Sequence, residues 1–152
     1  MIRLYFDGGC FPNPGKIGKS GTVIYRDGEL LLKDSNIIEG ERITNNLMEY
    51  DGLYQGLLFL KENDLMDEEI QIYGDSLMAI NQLKNGFRHM RPQKSNKKEK
   101  PYKRIAFQVK DILNDFSNLS FNWIPREHNI EADELTHMDY AGLDREYLKV
   151  VA

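Results

Sequence analysis

Four carboxylates stand out for the segments that carry them: Asp7 in YFDGG, Glu49 in TNNLMEYDGL, Asp75 in IYGDS and Asp133 in HNIEADEL. Each falls at the end of a strand pattern or in the first turns of a helix pattern. A fold that gathers strand ends and helix starts would therefore bring them together. Four acids in one place repel each other, and such a cluster persists only where cations neutralise it. Oxygen donors suit hard divalent ions, Mg2+ above all, with Mn2+ as a substitute. Two such ions about 4 Å apart can activate a water and stabilise the leaving oxygen of a phosphodiester.

Taken singly, none of the four is decisive. Asp7 before Gly8 and Gly9 reads as a turn residue that ends a strand, and Asp75 before Ser76 as a charge that steadies a helix start. Glu49 and Asp133 read as solvated helix charges. His137, one helical turn after Asp133, reads as a surface histidine.

The elements that must position these residues follow from periodicity. Residues 2–7 alternate with period two and predict a strand, and residues 8–21, with five glycines and two prolines, predict a loop. Thr22–Tyr25 and Leu30–Glu39 flank Asp27-Gly28, a hairpin signal. Thr44 or Asn45 caps a helix to about Glu62, in which Gly52 and Gly56 cost helix propensity and so predict a face packed closely on a sheet. Ile70–Tyr73 predicts a short strand, and Ser76 caps a helix through Leu83 that Gly86 ends. Tyr102–Phe116 returns to helical spacing. Leu119, Phe121 and Trp123 alternate as a last strand stopped by Pro125, a final helix starts near Ile130, and Gly142 precedes a short tail. Three antiparallel strands followed by strand–helix–strand–helix predict an α/β fold with a five-stranded mixed sheet and helices on both faces.

Length and composition bound the class. The 152 residues fit one domain spanning 1–152. A hydrophobic fraction of 41% is that of a globular protein, and no apolar run approaches the ~18 residues of a membrane span. MIRLYFDGG lacks the layout of a signal peptide, Met1 directly before the first strand favours a free-standing protein, and a lone cysteine points to the reducing cytoplasm. Net charge is −4, but it is unevenly spread. Residues 84–104 hold nine basic residues against Glu99, a net of +8, so the remainder carries −12. This stretch reads as an insertion between two helices, and Arg88, Arg91, Lys94, Lys97, Lys98 and Lys100 could grip nucleic-acid phosphates. The bland reading is a solvated lysine-rich loop.

Four segments in order resemble the type 1 ribonuclease H family over nearly the whole chain: Asp7-Gly8-Gly9-Cys10 with Asn13-Pro14-Gly15, Thr44 through Glu49, Tyr73 through Ser76, and Asn129 through Leu135. The resemblance implies hydrolysis of the RNA strand of RNA/DNA hybrids to 5′-phosphate and 3′-hydroxyl ends, with two Mg2+ ions held by Asp7, Glu49, Asp75 and Asp133. It makes Asp7 the ligand shared by both ions, and it implies hybrid contacts at Cys10, Asn13, Asn45, Asn46 and Ser76 and a DNA-phosphate contact at Thr44. Family members often carry a histidine before the last acid that helps product leave. The loop here, Pro125 to Asn129, is shorter than in the best-known bacterial enzymes. Arg126 and His128 both compete for that role, and Arg126 is preferred as a cation charged at any pH. The rival readings are a non-catalytic hybrid-binding module and a two-metal nuclease acting on DNA. Neither a membrane nor an obligate protein partner is expected.

Overall fold

The computed structural model describes residues 1–88 and 101–138. A long meander opens the chain: strand β1 (Ile2–Cys10), strand β2 (Gly15–Arg26) and strand β3 (Glu29–Ile43). Helix α1 (Asn45–Glu62), strand β4 (Ile70–Gly74) and helix α2 (Leu77–Lys84) follow. Helix α3 (Pro101–Leu113), strand β5 (Leu119–Trp123), a 3-10 turn (Arg126–His128) and helix α4 (Ile130–Thr136) complete the described elements. The sheet order is β3-β2-β1-β4-β5; the meander pairs are antiparallel, whereas β1 with β4 and β4 with β5 are parallel.

The strand alternation sorts the helices. On β2, the Ser20 and Thr22 hydroxyls donate to the Asp51 carboxylate and the Gly52 carbonyl of α1. Gly21 points the other way, where a Cβ would lie 2.4 Å from the Ala132 carbonyl oxygen of α4. Hence α1 and α4 cover opposite faces of one sheet. Gly52 and Gly56 are the contact line of α1: a Cβ would meet the Asp7 carbonyl at 2.8 Å and the Leu4 side chain at 2.6 Å. The expected close packing of that helix face is therefore present. Ile2, Leu4, Phe6 and Ile72 meet Leu53, Leu57 and Leu60 in the core, and Ala106 and Val109 of α3 extend it.

Three expectations are corrected. The glycine-rich stretch 8–21 is mostly strand, because β1 continues to Cys10 and β2 begins at Gly15, with Cys10 paired to Gly18. Glycine normally weakens a strand. Here it is used for approach, since a Cβ on Gly18 would collide with Met48 and Ile43. Likewise β3 runs past Glu39 to Ile43, and α3 stops at Leu113 rather than Phe116. Of the basic stretch, Arg88 is exposed, while Arg91, Lys94, Lys97, Lys98 and Lys100 lie outside the described residues, as does Gly142 with the tail. Phe87 and Tyr102, on either side of the gap, both pack on Tyr50 of α1 with ring centroids 6.1 Å apart in each case.

Candidate active site

Parallel pairing places the first two acids. Tyr5 is in register with Tyr73, so Asp7 and Asp75, each two residues further along, emerge side by side just past the point where β1 and β4 stop pairing. Glu49 arrives from the start of α1. That approach depends on Gly8, where a Cβ would lie 2.1 Å from the Met48 carbonyl carbon and 2.3 Å from the Glu49 nitrogen. Thr44 accepts from the Leu47 amide at 3.2 Å and caps α1, which orients the turn that carries Glu49. Ser76 caps α2 through the Ala79 amide, and its hydroxyl is near enough to Glu49 to favour that residue's charged form. One carboxylate oxygen from each of Asp7, Glu49 and Asp75 lies within 4.8 Å of the others.

The environment resists charge. Burial, then the charge of Asp75, pushes the Asp7 carboxyl up to about 8, against the pull of the Gly8 amide at 2.9 Å. Burial pushes Glu49 up to about 7; the Ser76 hydroxyl opposes the shift and the Asp75 charge adds to it. Glu49 Oε2 is buried with no hydrogen-bond partner. A solitary buried carboxylate oxygen, two more acids within ligand-sharing distance and an all-oxygen donor set fit a divalent cation, which would replace the protons that neutralise the cluster.

Asp133 stands beside this trio rather than within it. From α4 its carboxylate is near enough to Asp7 to add to the upward push on that carboxyl. Arg126 Nη2 lies 3.5 Å from one of its oxygens and His137 Nε2 3.3 Å from the other. Arg126 is 76% exposed, so its guanidinium is loosely tethered at the rim. His128 is exposed and lines a cavity with Tyr5, Tyr25 and Asn129.

A family model described as RNase H matches residues 1–140. The chain belongs to the ribonuclease H family. Over 157 aligned residues it is 29% identical to a bifunctional protein of Mycobacterium tuberculosis, covering 99% of this chain and 40% of that protein. The chain thus spans well under half the length of the first relatives it matches. A ribonuclease H of a Thermoanaerobacter species is 31% identical over 82% of this chain and 76% of its own length. Among solved structures, LC11-RNase H1 in complex with an RNA/DNA hybrid superposes with a TM-score of 0.72 at 32% identity, covering 90% of this chain and 94% of that one.

Within this ribonuclease H fold, three of the polar residues expected to touch substrate, Cys10, Asn13 and Asn45, form one network. Asn45 Oδ1 accepts from the Cys10 amide at 2.9 Å, and Asn13 Oδ1 accepts from the Asn45 amide at 3.2 Å. Their side-chain oxygens are engaged, which turns their amide nitrogens into the remaining donors. The Cys10 thiol lies within the same cluster, and Asn46 Nδ2 reaches Met78 Sδ at 4.0 Å. Sequence reasoning missed Asn129. Its buried side-chain amide donates to Asp75 Oδ2 at 3.1 Å and to the Phe6 carbonyl at 2.9 Å. An asparagine just before a helix reads as an ordinary cap, so nothing in its position flagged it.

Proposed function

We propose that this member of the ribonuclease H family is a Mg2+-dependent endonuclease that hydrolyses the RNA strand of RNA/DNA hybrids, leaving 5′-phosphate and 3′-hydroxyl ends. The observation that carries the reading is the convergence of Asp7, Glu49 and Asp75 within 4.8 Å just past the parallel pairing of β1 and β4. Membership of the family and the hybrid bound by the similar LC11 enzyme support the substrate class. Asp7, Glu49, Asp75 and Asp133 would hold the cations, with Asp7 shared by both and Asp133 completing the second. When bound, two such ions supply activation of the attacking water and stabilisation of the departing 3′ oxygen. The chain's own residues do the rest. Ser76 and Asn129 orient two of the carboxylates, and the tethered Arg126 meets the phosphate beside Asp133. Asn13, Asn45 and Asn46 offer amide donors to minor-groove acceptors and to the 2′-hydroxyl that separates RNA from DNA. Thr44 and the basic residues from Arg88 to Lys100 contact the DNA strand's phosphates. The single cysteine supports a reducing, cytoplasmic setting for the reaction. No described helix is long and apolar enough to cross a membrane.

The test is cleavage of an end-labelled RNA/DNA hybrid beside duplex DNA and duplex RNA, with Mg2+, with Mn2+ and with EDTA. Cleavage of the hybrid's RNA alone, abolished by EDTA, is expected. Hybrid binding without cleavage would establish the binding-module reading instead, and cutting of duplex DNA would establish a different nuclease.

A further inference from the structure

We propose that Asn129 is the positioning residue of the carboxylate cluster, turning Asp75 toward the shared centre and spacing it against Asp7 and Asp133. This inference rests on the metal-site reading above.

The residue stands where an asparagine usually caps a helix, immediately before α4, yet its side chain makes no cap hydrogen bond. Instead the side chain turns inward, leaving the residue 1% exposed. Both of its amide hydrogens are engaged, one by the Phe6 carbonyl and one by Asp75 Oδ2. Phe6 directly precedes Asp7, so the first bond holds the β1 backbone at that acid. The second holds an oxygen of Asp75 itself. A third bond comes from the main chain: the Asn129 carbonyl accepts from the Asp133 amide at 2.9 Å. One residue thereby joins the middle of β1, the end of β4 and the helix bearing the fourth acid.

The amide has only one workable orientation. Flipping it would press the side-chain oxygen against two acceptors and lose both donors. In the orientation observed, Asn129 Oδ1 is buried without a partner. A residue kept only to start α4 would have turned that oxygen onto the helix amides. An unsatisfied buried acceptor in a native site calls for a reason. The reason here is that the two donors are needed elsewhere. Groups that hold a metal ligand from behind set its orientation, and losing one typically weakens metal binding or activity by about 10- to 100-fold.

The experiment compares the full chain with Asn129→Ala and Asn129→Ser. Isothermal titration calorimetry with Mg2+ and with Mn2+ alone, well below each protein's melting temperature, gives the metal dissociation constants. Hybrid cleavage at fixed metal gives kcat and KM. The expected result is metal binding weakened by about tenfold or more. Turnover should fall in parallel and recover as metal is raised, with KM for the hybrid nearly unchanged. In an Asp75→Asn background, Asn129→Ala should add little further loss, because it acts through Asp75. If the variants lose thermal stability but bind metal and turn over as the parent does, Asn129 is only a structural residue and the inference is overturned. If Asn129→Ala does not fold, the serine variant decides on the same readouts. Should the parent chain itself bind neither ion, the failure belongs to the metal-site reading, and this inference falls with it.

Discussion

Burial and mutual repulsion keep Asp7 and Glu49 protonated at pH values where isolated carboxyls are ionised, so each proton occupies the place of a cation. Removing the Asp7 ligand without changing its shape should therefore separate chemistry from binding. Asp7→Asn is expected to reduce cleavage by about 1000-fold or more while the hybrid still binds, since one ligand would serve both ions. Turnover near that of the parent would end the two-ion reading. Arg126 calls for a different measurement, because it sits 3.5 Å from Asp133 at an exposed rim. Arg126→Ala should lower kcat by about tenfold or more with little change in KM, as expected for a cation that acts on the developing phosphate charge. His128→Ala should stay close to the parent. Rates at saturating metal from pH 5.5 to 9 should then show no histidine ionisation near 6.5. A crippled His128→Ala beside a silent Arg126→Ala would reverse the assignment.

Between elements, the decisive packing is α1 against the end of β1. Gly8 has no room for a methyl group beside the Met48–Glu49 backbone, and backbone cannot rotate aside as a side chain can. Gly8→Ala is expected to cost about 3 kcal/mol of stability and to displace Glu49, with cleavage lost even in the fraction that folds. Equal stability and activity would show that α1 slides freely on the strand. The buried Asp51 makes a second tie across elements, accepting from Ser20 at 2.6 Å, Asn36 at 3.0 Å and Gln55 at 3.3 Å. It holds α1 to both β2 and β3 without touching the acid cluster. The basic stretch between α2 and α3 has its own test in salt dependence. Replacing Lys94, Lys97, Lys98 and Lys100 by alanine should weaken hybrid binding and flatten the log–log slope, by about 0.9 for each phosphate that is no longer neutralised. An unchanged slope would leave those lysines as a solvated run.

For the molecule as a whole, the raised acids make stability depend on pH in an unusual direction. A carboxyl whose pKa is higher in the folded state than in the unfolded state adds stability at low pH. That contribution disappears as pH rises through the folded values, about 7 for Glu49 and about 8 for Asp7. In EDTA the protein should therefore become less stable between pH 5 and 8, on the order of a few kcal/mol. Saturating Mg2+ should remove the decline, because the ion binds the ionised native cluster and stabilises it by mass action. Denaturant midpoints across that range, with and without metal, check both halves. Asp7→Asn should flatten the metal-free profile; the same slope in parent and variant would place the pH dependence elsewhere.

Periodicity and motif spacing were enough to read the five strands, the capped helices and the acids at their ends, because a period of two or a Thr and Ser cap is a local property of a few neighbouring residues. Local readings failed where the cause lay across the sheet. Residues 8–21 looked like a loop for their glycines, but those glycines are strand positions, with α1 packed against Gly8 and Gly18 and α4 against Gly21. Asn129 stood only at the end of a short loop, and the arrival of Phe6 and Asp75 from 123 and 54 residues away turns its amide inward. The same is true of the charges. Sequence alone could mark Asp7, Glu49, Asp75 and Asp133 as members of one set. Their distances and the degree of burial, which raise the carboxyls of Asp7 and Glu49, exist only once strand pairing and helix packing bring distant segments together, since electrostatic coupling depends on separation and desolvation rather than on order along the chain.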